Sequence, residues 1–266
     1  MKKKFLFGFI VVILLGFIAL KFRMDSTLKV ITFHSVRDSD EFNEYVMKPE
    51  RFEKIIEALS NRSFKFLSMR DVKDALSKKS IDKKSLLITF DDGYKDNYTN
   101  VLPILKKYKA RATVFVIGSK VGTPGYLSWQ DIREMYESGC FDIESHSYNL
   151  HDPFYDGPNK GKTLMSAPLD GESDEHYFLK LKNDLIWNNS VIYRYGTSDF
   201  PFAIAYPGSM VNDIIFKATR ESGLELGFVG AKKLPGKINK INPLAIPRMH
   251  VKPKTNVFLL VNFLSM

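Results

Sequence analysis

Strand-like and helix-like stretches alternate along almost the whole of this chain, and that alternation predicts a parallel α/β fold of the barrel type. Three observations carry the prediction. Short apolar runs rich in β-branched and aromatic residues recur between stretches of helical period. The 266 residues are ample for one such domain and few for two. The residues best suited to chemistry come directly after apolar runs, at the strand ends where α/β barrels place their sites.

Residues 28–33 read as a first strand, ending at His34. Residues 49–60 read as an amphipathic helix, with Pro49 in its first turn and Phe52, Ile55, Ile56 and Leu59 at helical spacing. Residues 64–67 form a short strand and 69–78 a second helix. Residues 86–90 have the unbroken apolar character of a buried strand, and 98–108 that of a helix. A strand at 112–117, a helix at 128–138 ended by Gly139, and a strand at 141–144 follow. From 152 to 171 the pattern dissolves into Pro, Gly, Asn, Lys and Ser, which predicts a loop or insertion beside a substrate groove. Alternation resumes with a helix at 174–188, a strand at 202–205, a helix at 212–222, and strands at 226–229 and 244–246.

The first 24 residues are of another kind. Lys2, Lys3 and Lys4 precede sixteen residues without charge, Phe5 to Leu20, and Lys21 and Arg23 follow. Basic flanks around an apolar stretch read as a secretory signal or a signal-anchor, with the lysines left inside. As helix the stretch covers about 24 Å against a hydrocarbon core of roughly 30 Å, so the flanking lysines would snorkel. No small-residue cleavage site follows, which favours the uncleaved anchor. The chain therefore divides into a segment at 1–24 and a catalytic domain at 25–266 that faces the outside, either anchored to the membrane or secreted and associated with the surface.

Of the 39 basic residues, five lie in that segment, leaving 34 against 30 acidic residues in the domain. A balance this mild, with no glycine-rich phosphate loop, excludes a nucleic-acid-binding role. The single cysteine, Cys140, cannot form an internal disulfide and reads as a small core residue.

The chemistry-bearing residues fall in two places. Asp91, Asp92 and Gly93 follow the strand at 86–90, where two adjacent carboxylates repel and each is costly to bury unpaired. A divalent cation relieves this by taking one carboxylate and leaving the other for protons; an Asp-Gly turn with a solvated acid is the plainer alternative. His146 and His151 follow the strand at 141–144. Five residues apart they do not share a helix face, but in a loop that bends back both can reach one cation. Two imidazoles and a carboxylate suit zinc, nickel, cobalt or iron(II), and leave positions open for water and substrate.

Thr89-Phe90-Asp91-Asp92-Gly93 together with His146-Ser147…His151 resembles the polysaccharide deacetylases of carbohydrate esterase family 4, the NodB-homology domain. The resemblance runs from about His34 to His250, and the five-residue histidine spacing resembles the branch that deacetylates poly-β-1,6-N-acetylglucosamine, a biofilm adhesin. It implies a distorted (β/α) barrel, and a hydrolase that releases acetate from an extracellular N-acetylglucosamine polymer. It further implies Asp91 as general base, and Asp92, His146 and His151 as ligands of one divalent metal ion, zinc first among the candidates. Residues 244–251 resemble the family's last motif and imply His250 as general acid, with Arg248 beside it at the substrate. Residues 205–208 resemble the third motif and imply that Tyr206 and Gly208 line the site and lend a backbone N–H to the oxyanion. His34 resembles a strand-end histidine of the biofilm branch that borders the site, with a plain capping or core histidine as the alternative. The chain departs from the pattern at the third motif, where Ile204 stands in place of an arginine that many relatives carry there. A monomer is expected. A peptidoglycan or chitin-type deacetylase is the alternative enzyme, and a catalytically silent glycan-binding envelope protein is the alternative of another class.

Overall fold

The computed structural model describes residues 26–38, 43–230 and 234–266. The segment expected at 1–24 lies outside the described residues, and among those described no helix is long and apolar enough to cross a membrane. Eight strands supply the frame: β1 (Val30–Phe33), β2 (Ser85–Phe90), β3 (Ala112–Val116), β4 (Phe141–Ser145), β5 (Ala203–Ala205), β6 (Leu226–Val229), β7 (Ile246–Pro247) and β8 (Met249–His250). They pair in parallel in the order β7-β6-β5-β4-β3-β2-β1-β8. Only Arg248 separates β7 from β8, yet β7 pairs with β6 and β8 with β1. One short stretch of chain thus closes the sheet on itself, giving the distorted α/β barrel expected from the sequence.

Helices cover the outside: α1 (Pro49–Asn61), α2 (Met69–Lys78), α3 (Leu102–Tyr108), α4 (Trp129–Glu137), α5 (Asp174–Tyr195), α6 (Asp213–Glu221) and α7 (Val257–Ser265). Their starts are written locally. Ser68 with Asp71 and Ser128 with Asp131 form reciprocal capping boxes at α2 and α4, and Pro49 occupies the first turn of α1. Helix α5 runs beyond the expected end at 188 to Tyr195, because Val191 and Ile192 carry its buried face onward. Helix α7 has no counterpart in the sequence reading. It is tied alongside α1, with Arg51 donating to the Thr255 carbonyl at 2.5 Å and Arg62 to Ser265 Oγ at 3.2 Å.

The period of two along each strand sorts side chains between lumen and helices. Val30, Leu87, Phe115, Ala203, Ala205, Phe228 and Ile246 form one buried cluster inside the barrel. Their outward neighbours Ile31, Phe33, Ile88, Phe90, Val114 and Ile143 belong to another, shared with α1, α3, α4 and α7. A third cluster joins α5, α6 and Met165 of the 152–171 insertion, which packs as a structured loop.

Glu144 is a charged residue in this lumen. Its Oε2 accepts the N–H groups of Phe202 and Ala203 at 2.9 and 2.8 Å, tying β4 to the entry of β5. Burial pushes its carboxyl well above the usual range. Glu144→Gln, which keeps a carbonyl oxygen in place, is expected to unfold in urea within about 1 kcal/mol of wild type. Glu144→Ala leaves two buried N–H groups unpaired and is expected to lose about 2–5 kcal/mol. Equal losses in both variants would show that the charge matters there rather than the oxygen.

Candidate active site and metal centre

The alternation that fills the lower lumen with apolar side chains continues past the strand ends. His34 follows β1, Asp91 follows β2, His146 follows β4, and Arg248 and His250 lie on the closing stretch. The registers keep these positions on one side of the sheet: Thr32 pairs with Thr89 and with His250, and Thr113 with Thr89 and Asp142. The strands thus converge their chemistry on the C-terminal mouth of the barrel, as expected for this architecture.

Asp91 is 4% exposed and Arg248 is 2% exposed, so the pair is a buried one. The guanidinium grips the carboxylate with both forks, Nη1 to Oδ1 at 2.6 Å and Nη2 to Oδ2 at 2.8 Å. Arg248 Nη1 also reaches the Thr32 and Thr89 hydroxyls at 3.3 and 3.5 Å, and its guanidinium carbon lies 5.7 Å from the centre of the Phe115 ring. Burial pushes the Asp91 carboxyl up, but the Arg248 charge, with His146 and His34, outweighs it and holds the group below the usual carboxylate range.

Asp92 adopts a left-handed backbone, φ +74, followed by Gly93 at φ +76, and this turn swings its carboxylate away from Asp91. His146 Nε2 and His151 Nε2 both stand against the same oxygen, Asp92 Oδ1, at 3.3 and 3.2 Å. That oxygen is shut off from solvent and has no hydrogen bond of proper geometry. The three ligand atoms lie within 4.8 Å of one another. The His146 ring is anchored at its other nitrogen, Nδ1 lying 2.6 Å from the Ala205 carbonyl. Nδ1 therefore carries the proton and Nε2 presents a lone pair, which is how metal-binding histidines are usually held. An orphaned buried oxygen with two imidazole nitrogens standing against it fits a divalent cation.

On the Arg248 side stand two more imidazoles. His34 Nε2 lies 3.8 Å from Asp91 Oδ2, and burial lowers the pKa of the His34 ring. Its backbone is braced from the π-turn at Asn97–Val101 and the residue before it: Asn97 donates to the His34 carbonyl at 2.9 Å, and Asp96 accepts from Ser35 Oγ and from the Val36 N–H. His250 stacks under Tyr45 with centroids 5.1 Å apart and meets His34 at 5.3 Å. Burial, with His34 beside it, pushes His250 down to about 4. Tyr45 is half exposed, with its edge toward His34 at 4.7 Å. The sequence offered no signal for it beyond an aromatic in a polar stretch that also holds Phe42.

Two expectations are corrected. Arg248 does not face the substrate; it is buried against Asp91, because the closing stretch turns it into the lumen. Tyr206 is 1% exposed, packed with Phe216 and the α5–α6 cluster, and its N–H donates to the Phe228 carbonyl at 3.1 Å within the sheet. It is therefore a core residue whose N–H is already used. Gly208 sits in the exposed turn after β5 at φ +67, against Thr163 of the insertion, while Thr163 Oγ1 donates to the Pro207 carbonyl at 3.2 Å. It lies three residues beyond Ala205, whose carbonyl anchors His146.

Comparison with known proteins gives the family and the fold. The sequence pattern of the family described as polysaccharide deacetylase matches residues 78–227. Poly-beta-1,6-N-acetyl-D-glucosamine N-deacetylase of Staphylococcus epidermidis is 30% identical over 236 residues, covering 80% of this chain and 75% of the relative. The protein of the same name from Staphylococcus aureus is 30% identical over 230 residues, covering 79% and 73%. Among solved structures, a de-N-acetylase from Aggregatibacter actinomycetemcomitans superposes with a TM-score of 0.78 at 24% identity, over 89% of this chain and 99% of that one. IcaB from Ammonifex degensii superposes with a TM-score of 0.76 at 23% identity, over 91% and 98%. These two show the shared fold.

Arg248→Met is expected to cost about 3–5 kcal/mol in urea unfolding, because it leaves a buried carboxylate unpaired. The double variant Arg248→Met with Asp91→Asn should lose clearly less than the two single losses added. Strict additivity would show that the two side chains stabilise the fold independently.

Proposed function

The chain belongs to the polysaccharide deacetylase family, and on that premise we propose that it hydrolyses N-acetyl groups of poly-β-1,6-N-acetyl-D-glucosamine outside the cell membrane. In this reading residues 1–24 hold the catalytic domain, 25–266, at the membrane, and the product contributes to a biofilm matrix. The observation that carries it is the Arg248-gripped Asp91 standing beside the cluster of Asp92, His146 and His151. The substrate named in the Staphylococcus relatives and the five-residue spacing of the two histidines favour this glycan.

Asp92 Oδ1, His146 Nε2 and His151 Nε2 would hold one divalent cation, with zinc the first choice and cobalt, nickel and iron(II) compatible with the same donors. When bound, it supplies a Lewis acid for the acetamide carbonyl and a water of lowered pKa. The chain's own groups handle the protons. Arg248 fixes both oxygens of Asp91, so the carboxylate stays ionised and oriented and offers its remaining lone pair to the proton of the attacking water. His34 lies against that carboxylate, so the proton that Asp91 takes from the water would pass to the His34 ring and from it to the departing nitrogen. His250, the acid implied by the sequence resemblance, meets His34 and Tyr45 in the structure. We assign it to the support of His34. The products are acetate and a glucosamine unit whose amine then takes up a proton.

The test is acetate release by the full-length chain in detergent from β-1,6-linked N-acetylglucosamine oligomers, with chitin and peptidoglycan fragments in parallel. Chelation should abolish release and zinc should restore it. Asp91→Asn and His34→Ala should each lower kcat by about 10²–10⁴-fold, and His250→Ala by less. Release from chitin or peptidoglycan alone would keep the chemistry and overturn the glycan. No release from folded, zinc-loaded protein would leave a glycan-binding role.

A further inference from the structure

The backbone path between His146 and His151 is braced by helix α5, which packs behind the mouth of the barrel. Asp184, midway along α5, accepts the Tyr148 N–H at Oδ1 and the Asn149 N–H at Oδ2, each at 2.8 Å. Ser147, at φ +67, makes the turn that precedes these two amides. From the opposite side Gly118 and Ser119 donate to the Ser147 and Tyr148 carbonyls at 3.2 and 3.0 Å. One turn along the same helix, Asn188 donates to the Val116 carbonyl and to Ser145 Oγ, at 3.1 and 2.9 Å, fixing the strand ends next to His146.

The two histidines depend on this loop unequally. His146 has its own anchor in the Ala205 carbonyl. His151 has a side chain one third exposed, and among the described contacts its ring meets only Asp92 and His146. Since five residues do not bring two side chains to one face of a regular helix, the approach of His151 Nε2 to 3.2 Å from Asp92 Oδ1 rests on the path of the loop backbone. A carboxylate suits the task because it offers two acceptors side by side. An asparagine would offer one and set its own N–H₂ against the other amide; an alanine would offer none.

We propose that Asp184 is a positioning residue of the metal centre: by holding the Tyr148 and Asn149 amides it brings His151 to the cation shared with Asp92 and His146. The proposal rests on the reading of those three residues as metal ligands.

The experiment is zinc binding to the full-length chain in detergent, titrated against a chromophoric chelator, with thermal unfolding of each variant alongside. Wild type should bind one zinc, and His151→Ala should bind it far more weakly. Asp184→Asn and Asp184→Ala should raise the zinc Kd by about 10–100-fold, the range seen when a group that orients a ligand is removed. Their kcat at saturating zinc should fall by a smaller factor. Ile192→Ala, which removes a fully buried side chain lower on the same helix, should lower the Tm and leave the zinc Kd unchanged. The proposal is overturned if Asp184→Asn binds zinc within threefold of wild type, or if Ile192→Ala weakens zinc equally. It is also overturned if both Asp184 variants fail to fold where Ile192→Ala folds, since Asp184 would then be a determinant of the fold. A wild-type chain that binds no zinc would instead sink the metal reading beneath it.

Discussion

The grip of Arg248 on Asp91 is the contact on which the rest of this molecule depends. Two ions inside a barrel each lose solvation worth several kcal/mol, and a buried pair rarely repays that in net stability. Its value lies in what it fixes. Arg248 is the single residue between β7 and β8, at the point where the sheet closes, and Asp91 is the first residue past β2. The bidentate contact therefore joins the closure of the barrel to the orientation of a carboxylate at its mouth. A misplaced closing stretch would disorder that carboxylate, and a missing carboxylate would leave a buried guanidinium unpaired.

The lumen beneath the pair shows how such a charge is accommodated. Its floor is apolar apart from the Glu144 carboxyl held by the Phe202 and Ala203 amides, with Val30, Leu87, Ala203, Phe228 and Ile246, and Phe115 lies under the guanidinium. The Thr32 and Thr89 hydroxyls form the next level and touch Arg248. Charged groups and imidazoles occupy the top. The gradient follows from strand alternation alone: each strand adds one more lumen-facing residue at the mouth, and the identity of that residue is what differs from strand to strand. Polar groups that could not be tolerated at the floor are placed where water, substrate or a cation can meet them.

Much of this was legible in the sequence because the signals are local. Apolar runs mark β2 and β3, helical spacing and Pro49 mark α1, and Asp91, Asp92 and His146 stand immediately after strands, so their clustering follows once the strands are parallel. What was illegible is long in range or masked by composition. Nothing near Arg248 points to a carboxylate 157 positions earlier, and Tyr206 looks like a mouth residue until the Phe228 carbonyl takes its N–H. Helix α7 is apolar on nearly every side and so has no helical period to read. Asp184 looks like one more solvated acid in a polar helix, because a partner that is a backbone amide leaves no mark in the sequence.

The third motif bears on whether the site can be active at all. Ile204 stands where the family resemblance implies an arginine. Ile204 pairs with Ser145 on the outward side of the sheet and is fully buried in the cluster with α5 and α6. A positive charge at that position would face helices, not Asp91. The charge reaches Asp91 from the closing stretch instead, and with better geometry than an isolated contact, since both forks of Arg248 are engaged. Asp91 is thus held ionised from the closing stretch. A protein that only bound glycan would have no use for a carboxylate held ionised in a buried lumen, nor for two imidazoles aimed at a neighbouring one.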